Sequence, residues 1–383
     1  MIWLFDLCNA LICLLIIIIA FRVKLIPNWI ALVLSAYSFL PFFLNDFLFP
    51  ATYMKDQFAY FNMVKEVRSL NFFPGEGILI DNAKTYINDQ YVINNKILIT
   101  SWILALIPLP YVESIQSLGF FNKLLFLILF LWLYSKKFLR GGVLLFAIFY
   151  PSLVFYTSLS LRDPLIMFLT TVSMIFLIEK KYFKFFFILF PLYFIKFQNF
   201  YFLISFLFFL KILKIKIINN FLKLIIATSF IIIIMSYLDL INYYRFSMFI
   251  ENGGNFSEYI SVNRIGDLSQ ALLSSIPSLL LRPFPWEIEN NFQLIQSIEN
   301  ILVLCFLIVF TIKSYIQNSY QTSVWLFFLI FTISISSLVT FNFGTGARYK
   351  YNYIFIYVIG LTYNLYRDKY YNLKTQFKAK KFL

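Results

Sequence analysis

Three stretches limit what this chain can fold into: LICLLIIIIAF (11–21), LLFLILFLWLY (124–134) and LIIATSFIIIIMSYL (224–238). Each belongs to a segment able to cross the roughly 30 Å hydrocarbon core of a bilayer as a helix. Such runs recur along the chain, which is 61% hydrophobic with a mean hydropathy of +0.79 and only 13% charged residues. A soluble domain carries about 25% charged residues, so the composition is that of an integral membrane protein. Within a bilayer every backbone N–H and C=O must find its partner internally, which leaves helices or a closed barrel. The ten-residue alternation of barrel strands is absent. The expected fold class is therefore all-α, a polytopic membrane protein.

The hydrophobic runs place spans near 3–21, 27–45, 117–134, 142–160, 164–179, 182–195, 198–211, 222–238, 293–312, 323–341 and 351–366, about 11 (range 10–12) transmembrane helices. They form a single polytopic domain, 1–383, with two larger outer loops, 46–96 and 239–292, and a basic tail, 367–383, expected to be unstructured. Ile97–Val112 is apolar but short, and reads as an interfacial or re-entrant helix. The runs over 182–211, separated by KFQN (196–199), form either a tight hairpin or one broken helix. In the first loop DQFAYFNMVKEVRSL (56–70) has the spacing of an amphipathic helix lying on a membrane. Met1–Phe21 has no basic leader and no small-residue cleavage site, and Asp6 stands near its start, so it reads as a retained span.

Charge orients the spans. With the C-terminus inside, 19 of the 32 Lys and Arg residues fall on the inner side against only Glu179 and Asp368 of the 18 acids. That bias sits in short loops, where the positive-inside rule works best, and it places the N-terminus outside. The net charge of +14 thus follows the membrane and does not point to nucleic acid. A twelve-span alternative, with 97–112 crossing fully, would move loop 46–96 inside and flip the N-terminus. Cys8, Cys13 and Cys305 lie in apolar runs with neither disulfide nor metal spacing. There is no histidine, which removes the commonest general base and the commonest metal ligand. No metal site and no cofactor is expected.

The outer ends of the helices differ from the lysine-rich inner loops. They carry arginine among other polar groups: SLSLRDP (158–164), KFQN (196–199), YYRF (243–246), VNRIGD (262–267), LRPFPWEIEN (281–290) and GTGARYKYN (344–352). Insertion requires none of these, and charge at membrane depth is costly unless it faces a cavity or a polar ligand. Arginine binds phosphate oxygens in pairs and keeps its charge. The candidate substrate-binding set is accordingly Arg162, Lys196, Gln198, Arg245, Arg264, Arg282, Trp286, Arg348 and Lys350. Asp56, Asp163, Glu287 and Glu289 are the nearby carboxylates, suited to general-base work or simply to neutralising the arginines. Plainer readings stand beside these. Asp163 fits the first turn of a helix beginning at Pro164, Trp286 fits an interfacial anchor, and Lys196 fits a snorkelling side chain. Asp56 and Tyr60 share a helix face that could be merely solvated, and GTGA suggests a flexible turn before the next helix. In LRPFPWE the two prolines predict a non-helical path holding Arg282 and Glu287.

The phrases PSLVFYTSLSLRDPLIMF, LRPFPWEIENNFQLIQSIEN and NFGTGARYKYN, in a Lys-, Phe-, Ile- and Asn-rich polytopic chain of this length, resemble the Wzy-type O-antigen polymerases. The resemblance covers most of the chain in layout and these phrases in sequence. It implies a reaction at the periplasmic face of the bacterial inner membrane. There a growing glycan leaves undecaprenyl pyrophosphate for a new lipid-linked repeat unit, without nucleotide sugar or ATP. It further implies Arg162, Arg282 and Arg348 as ligands of lipid pyrophosphate. The partners implied are the undecaprenyl-pyrophosphate-linked glycan, membrane lipids and a chain-length regulator. The related lipopolysaccharide ligases rely on a periplasmic histidine that this chain lacks.

The layout is also similar to the lipid-dependent GT-C glycosyltransferases, in which an acid of the first outer loop, in a setting like KDQFAYFNMV (55–64), activates the acceptor. Both resemblances imply a carboxylate, Asp56 or Asp163, that accepts the acceptor's proton, and arginines that stabilise the departing phosphate. A flippase would be expected to show internal repeats and polar residues deep in several spans; the sequence reads instead as charge concentrated at one face, without a repeat.

Overall fold

The computed structural model describes residues 2–49, 55–69, 99–106, 112, 114–214, 238–251 and 254–379. Among these residues the chain is helical throughout, without a strand; a lone bridge joins Asn45 and Phe49. It divides into two compact units, Met1–Ile204 and Ser205–Leu383. Among the described residues four helices are long and apolar enough to cross a membrane: Leu4–Arg22, Ile115–Ser135, Asn291–Gln317 and Ser319–Leu338. These are the helices of a membrane-embedded protein. The expected span 222–238, apart from Leu238, and most of loop 46–96 lie outside the described residues.

In the first unit, α1 (Ile2–Arg22), α2 (Asn28–Tyr37), α3 (Leu40–Leu44) and α4 (Lys55–Ser69) precede α5 (Ile115–Ser135). Then come α6 (Gly142–Phe149), α7 (Pro151–Tyr156), α8 (Asp163–Ile178), α9 (Tyr182–Ile195) and α10 (Phe197–Lys214), the last running on into the second unit. The packing of α1 is inverted relative to a soluble helix. Its buried face is Asp6, Asn9, Ala10, Cys13, Ile17 and Ala20, while Leu4, Leu11, Leu15, Ile18 and Ile19 are exposed. Small and polar residues inside with large aliphatic residues outside is the pattern of a helix solvated by lipid.

α1, α5 and α8 run parallel. The N-terminal residue Asp6 meets Ser114 and Ser117 at the start of α5, and Lys136 at the end of α5 meets Glu179 at the end of α8. All three helices stop in the same way. Lys24, Lys137 and Lys180 take the left-handed conformation (φ 56°, 64° and 59°). The next amide then reaches back five residues, Leu25 N to Ala20 O, Phe138 N to Leu133 O and Lys181 N to Phe176 O, each at 2.8–2.9 Å. Glycine usually fills this cap; lysine instead sets its charge at the negative end of the helix dipole.

One expected span is broken, and two shorter expected elements are seen as helices. Pro151 breaks the segment 142–160, since its ring clashes with the preceding turn, giving α6 and α7 followed by a non-helical turn, 157–162. The segment 182–211 is two helices meeting at Lys196, whose φ of −153° is extended. Residues 99–105 form a short helix held by Arg68, which donates to Ala105 O at 3.2 Å.

In the second unit α11 (Leu238–Glu251) and α12 (Ile265–Leu281) precede α13 (Asn291–Gln317), α14 (Ser319–Leu338) and α15 (Phe343–Ala379). The core is α12 to α15. Asn318 ends α13 and starts α14, its side chain accepting Gln321 N at 3.0 Å. α14 lies close to α15 because Gly360 leaves room for the Trp325 ring: a Cβ there would stand 2.3 Å from it. The GTGA segment lies inside the first turns of α15, so it is helix and not a turn, and the basic tail continues that helix to Ala379.

Candidate functional site

Among the described residues, each unit has a turn between α-helices that carries an arginine and a carboxylate and is held by buried polar side chains. In the first unit the turn is Thr157–Arg162. Irregular backbone at membrane depth is tolerated only where side chains satisfy it. Asn45 does so from the end of α3, donating to Ser158 O at 2.8 Å and accepting Ser160 N at 2.9 Å. Asn122 of α5 donates to Leu159 O at 2.5 Å and Leu161 O at 2.8 Å. Ser160 Oγ donates to Ile115 O. The approach is close enough to require Gly119 on α5, where a Cβ would stand 2.5 Å from Asn45 Nδ2 and 2.7 Å from Ser158 O.

This turn delivers Arg162 and Asp163. Asp163 is buried in the first turn of α8, ahead of Pro164. The Arg162 guanidinium lies 5.9 Å from the centroid of the Tyr60 ring, a cation–π distance. Tyr60 belongs to α4, whose face Gln57, Tyr60, Val64 and Val67 is buried while Asp56 is exposed. Asp56 lies one helical turn before Tyr60, at the exposed start of α4. The amphipathic helix, Arg162 and Asp163 are thus neighbours in one unit. Lys196 and Gln198 sit half-buried at the α9–α10 break.

In the second unit the turn is RPFPWE. α12 ends at Leu281, the Arg282–Pro283 peptide bond is cis, and Pro285–Glu287 forms a single 3₁₀ turn. Arg282 grips Glu287 with both nitrogens of its fork, Nε to Oε1 and Oε2 at 2.9 Å and Nη2 to Oε1 at 2.5 Å. Glu287 Oε2 also accepts Phe284 N at 3.0 Å. The bond from Arg282 holds the Glu287 carboxyl below its ordinary range, and the same bond holds Arg282 above its own. Phe284 and Trp286 stack in parallel at 4.9 Å with Trp286 79% exposed, so the indole is available to lipid or ligand.

Lys350 does not point outward. It is 2% exposed, and its ammonium donates to Leu279 O and Leu280 O at 3.1 Å and to Asn300 Oδ1 at 2.6 Å. Asn300 in turn donates to Leu281 O at 3.1 Å and Arg282 O at 2.9 Å. Arg348 is half-buried on α15. Arg245 lies on α11 with its guanidinium 6.0 Å from the Phe341 ring, and Arg264 is exposed at the start of α12, where Asp267 accepts its amide at 3.0 Å. The pairs Arg162–Tyr60 and Arg282–Glu287 are therefore brought together, while Arg264 stands apart on the surface.

Sequence reasoning overlooked Asn45, Asn122, Lys123, Glu299 and Asn300, all buried. The signal was present in two places, FFNKLLF (120–126) and QSIENILVL (296–304), where amide and charge interrupt an apolar run. Among the described residues no three His, Cys, Asp or Glu side chains gather as a metal site would need. No protein-family profile, curated protein or solved structure matches this chain.

Proposed function

We propose that the protein is a membrane glycosyltransferase that polymerises undecaprenyl-pyrophosphate-linked repeat units at the periplasmic face of the bacterial inner membrane. The observation that carries this reading is the pair of arginine turns, each held by a buried asparagine within a long apolar helix, Asn122 on α5 and Asn300 on α13. A chain that needed only to sit in lipid has no use for them, and each presents the residue best suited to a pyrophosphate. In the reaction, Asp56 takes the proton of the acceptor hydroxyl, whose oxygen attacks the anomeric carbon of the donor. The bond to the pyrophosphate breaks, and Arg162, in the same unit as Asp56, stabilises the charge that leaves with the lipid; Arg282 is the second unit's candidate for binding a lipid pyrophosphate. Asp163 and Glu287 balance the arginines in the absence of substrate.

The topology proposed with it has eleven spans, an outer N-terminus and a cytoplasmic C-terminus. The parallel course of α1 and α5 supports it, because the twelve-span arrangement would set them antiparallel. The three lysine-capped helix ends support the inner side.

The test is deletion of the gene in its host, with surface polysaccharide resolved on a gel. We expect the lipid core to carry one repeat unit and no ladder, and a complementing Arg282→Ala allele to leave the ladder absent at normal protein level. Repeat units that never reach the surface would make the protein an exporter. A uniform loss of one sugar from every unit would make it a single-sugar GT-C enzyme.

A further inference from the structure

The transferase reading leaves Lys123 without a role and gives Lys350 a place it does not occupy, yet the two lysines do the same thing in their separate units. Lys123 lies on α5 about 12 Å along the axis from Ile115 at 1.5 Å per residue, and its side chain is fully buried. Its ammonium donates to Val154 O at 3.3 Å and Thr157 Oγ1 at 3.5 Å, at the end of α7, and lies 5.1 Å from the Phe126 ring. Lys350 binds the last carbonyls of α12 in the same manner. In both cases an asparagine takes two carbonyls further along: Asn122 those of Leu159 and Leu161 in the turn after α7, Asn300 those of Leu281 and Arg282 directly after the pair held by Lys350. The arginine follows at once, Arg162 after Leu161, and Arg282 as the last residue held.

Physical chemistry explains the pairing. A helix end leaves carbonyls unsatisfied and carries the negative end of the dipole, and burial keeps water from relieving either. A buried ammonium with an adjacent amide supplies both charge and donors. A snorkelling lysine would reach out to water, whereas both of these ammonium groups are buried. The chain order differs, with Lys123 preceding its turn and Lys350 following it, so the likeness is one of solution and not of sequence repeat.

We propose that Lys123 with Asn122, and Lys350 with Asn300, are positioning residues that clamp the broken end of a helix and so fix the turn presenting Arg162 or Arg282. Their bearing on catalysis rests on the transferase reading; the clamp itself does not. The test is hydrogen exchange by mass spectrometry on the full chain in lipid nanodiscs, comparing wild type with Lys123→Met, Lys350→Met and Lys350→Arg. Lys350→Met is expected to speed exchange about tenfold at the amides of 282–290 and leave 319–338 unchanged. Lys123→Met is expected to do the same at 157–163 and leave 182–195 unchanged. Lys350→Arg, which keeps charge and donors, is expected to retain the protection.

Unchanged exchange in the two turns overturns the clamp, as does loosening throughout a unit. The gel assay separates this from the function. Unchanged exchange with the ladder lost in Arg282→Ala refutes the clamp alone. Confined loosening with an intact ladder in the deletion strain keeps the clamp and removes the transferase.

Discussion

At the scale of single residues, the main finding is how much polar chemistry lies buried among apolar side chains. On insertion scales a charged side chain at a helix centre costs about 2.5–3.5 kcal/mol, so Lys123 has to be offset locally, and its bonds to Val154 and Thr157 are that offset. The Arg282–Glu287 pair is half-exposed, and screening by solvent reduces its contribution to about 0–1 kcal/mol. Its sign with pH is nevertheless definite. Glu287 titrates below its ordinary value because Arg282 is bound to it. The pair therefore contributes fully above the unfolded carboxyl value of about 4.3. It is lost only as pH falls through the lower folded value. Trp286 fluorescence, taken as wild type minus Trp286→Phe in detergent, should hold steady from pH 7 to below about 4.3 and change only beneath that. A change centred on or above the ordinary value would contradict the pairing. Arg282→Lys should fail to restore the ladder despite its charge, because an ammonium lacks the planar fork.

Among elements, the long apolar runs were legible because hydropathy alone identifies a helix that lipid must accommodate: α1, α5, α13 and α14 stand where the runs stand. The non-helical course of RPFPWE was legible from its prolines, and the amphipathic α4 from its spacing. Other features were not. Pro151 splits the span 142–160, but a hydropathy average does not register one residue. GTGA resembled a turn by composition, yet it lies in the first turns of α15, where Gly346 meets Leu279 of α12. The amide clamps join residues 18 to 115 positions apart, and such pairings leave no local pattern.

Gly119 is the sharpest test of this packing. Gly119→Ala sets a methyl 2.7 Å from the Ser158 carbonyl, which belongs to backbone and cannot turn away. Overpacking of this kind costs about 1–3 kcal/mol, so thermal unfolding in detergent should show a lowered midpoint, and an unchanged one would mean the turn is loosely held. Asn122→Leu should cost about as much, since it leaves the Leu159 and Leu161 carbonyls without their donor.

At the scale of the whole molecule, orientation and activity are the two claims to test. In a cysteine-free background, cysteines placed at Arg22, Arg140 and Lys181 should react with an impermeant maleimide only after the cells are opened, and a cysteine at Asp56 should react before. Labelling of Arg22 and Arg140 from opposite sides would contradict the parallel course of α1 and α5. The most direct test of the central claim uses lipid-linked repeat units extracted from the deletion strain and the full chain purified into nanodiscs. We expect mass spectrometry to find dimers and longer oligomers on lipid, together with released undecaprenyl pyrophosphate, and neither product with the Arg162→Ala or Arg282→Ala protein. Repeat units that remain single, with no pyrophosphate lipid released by intact wild-type protein, would contradict the account.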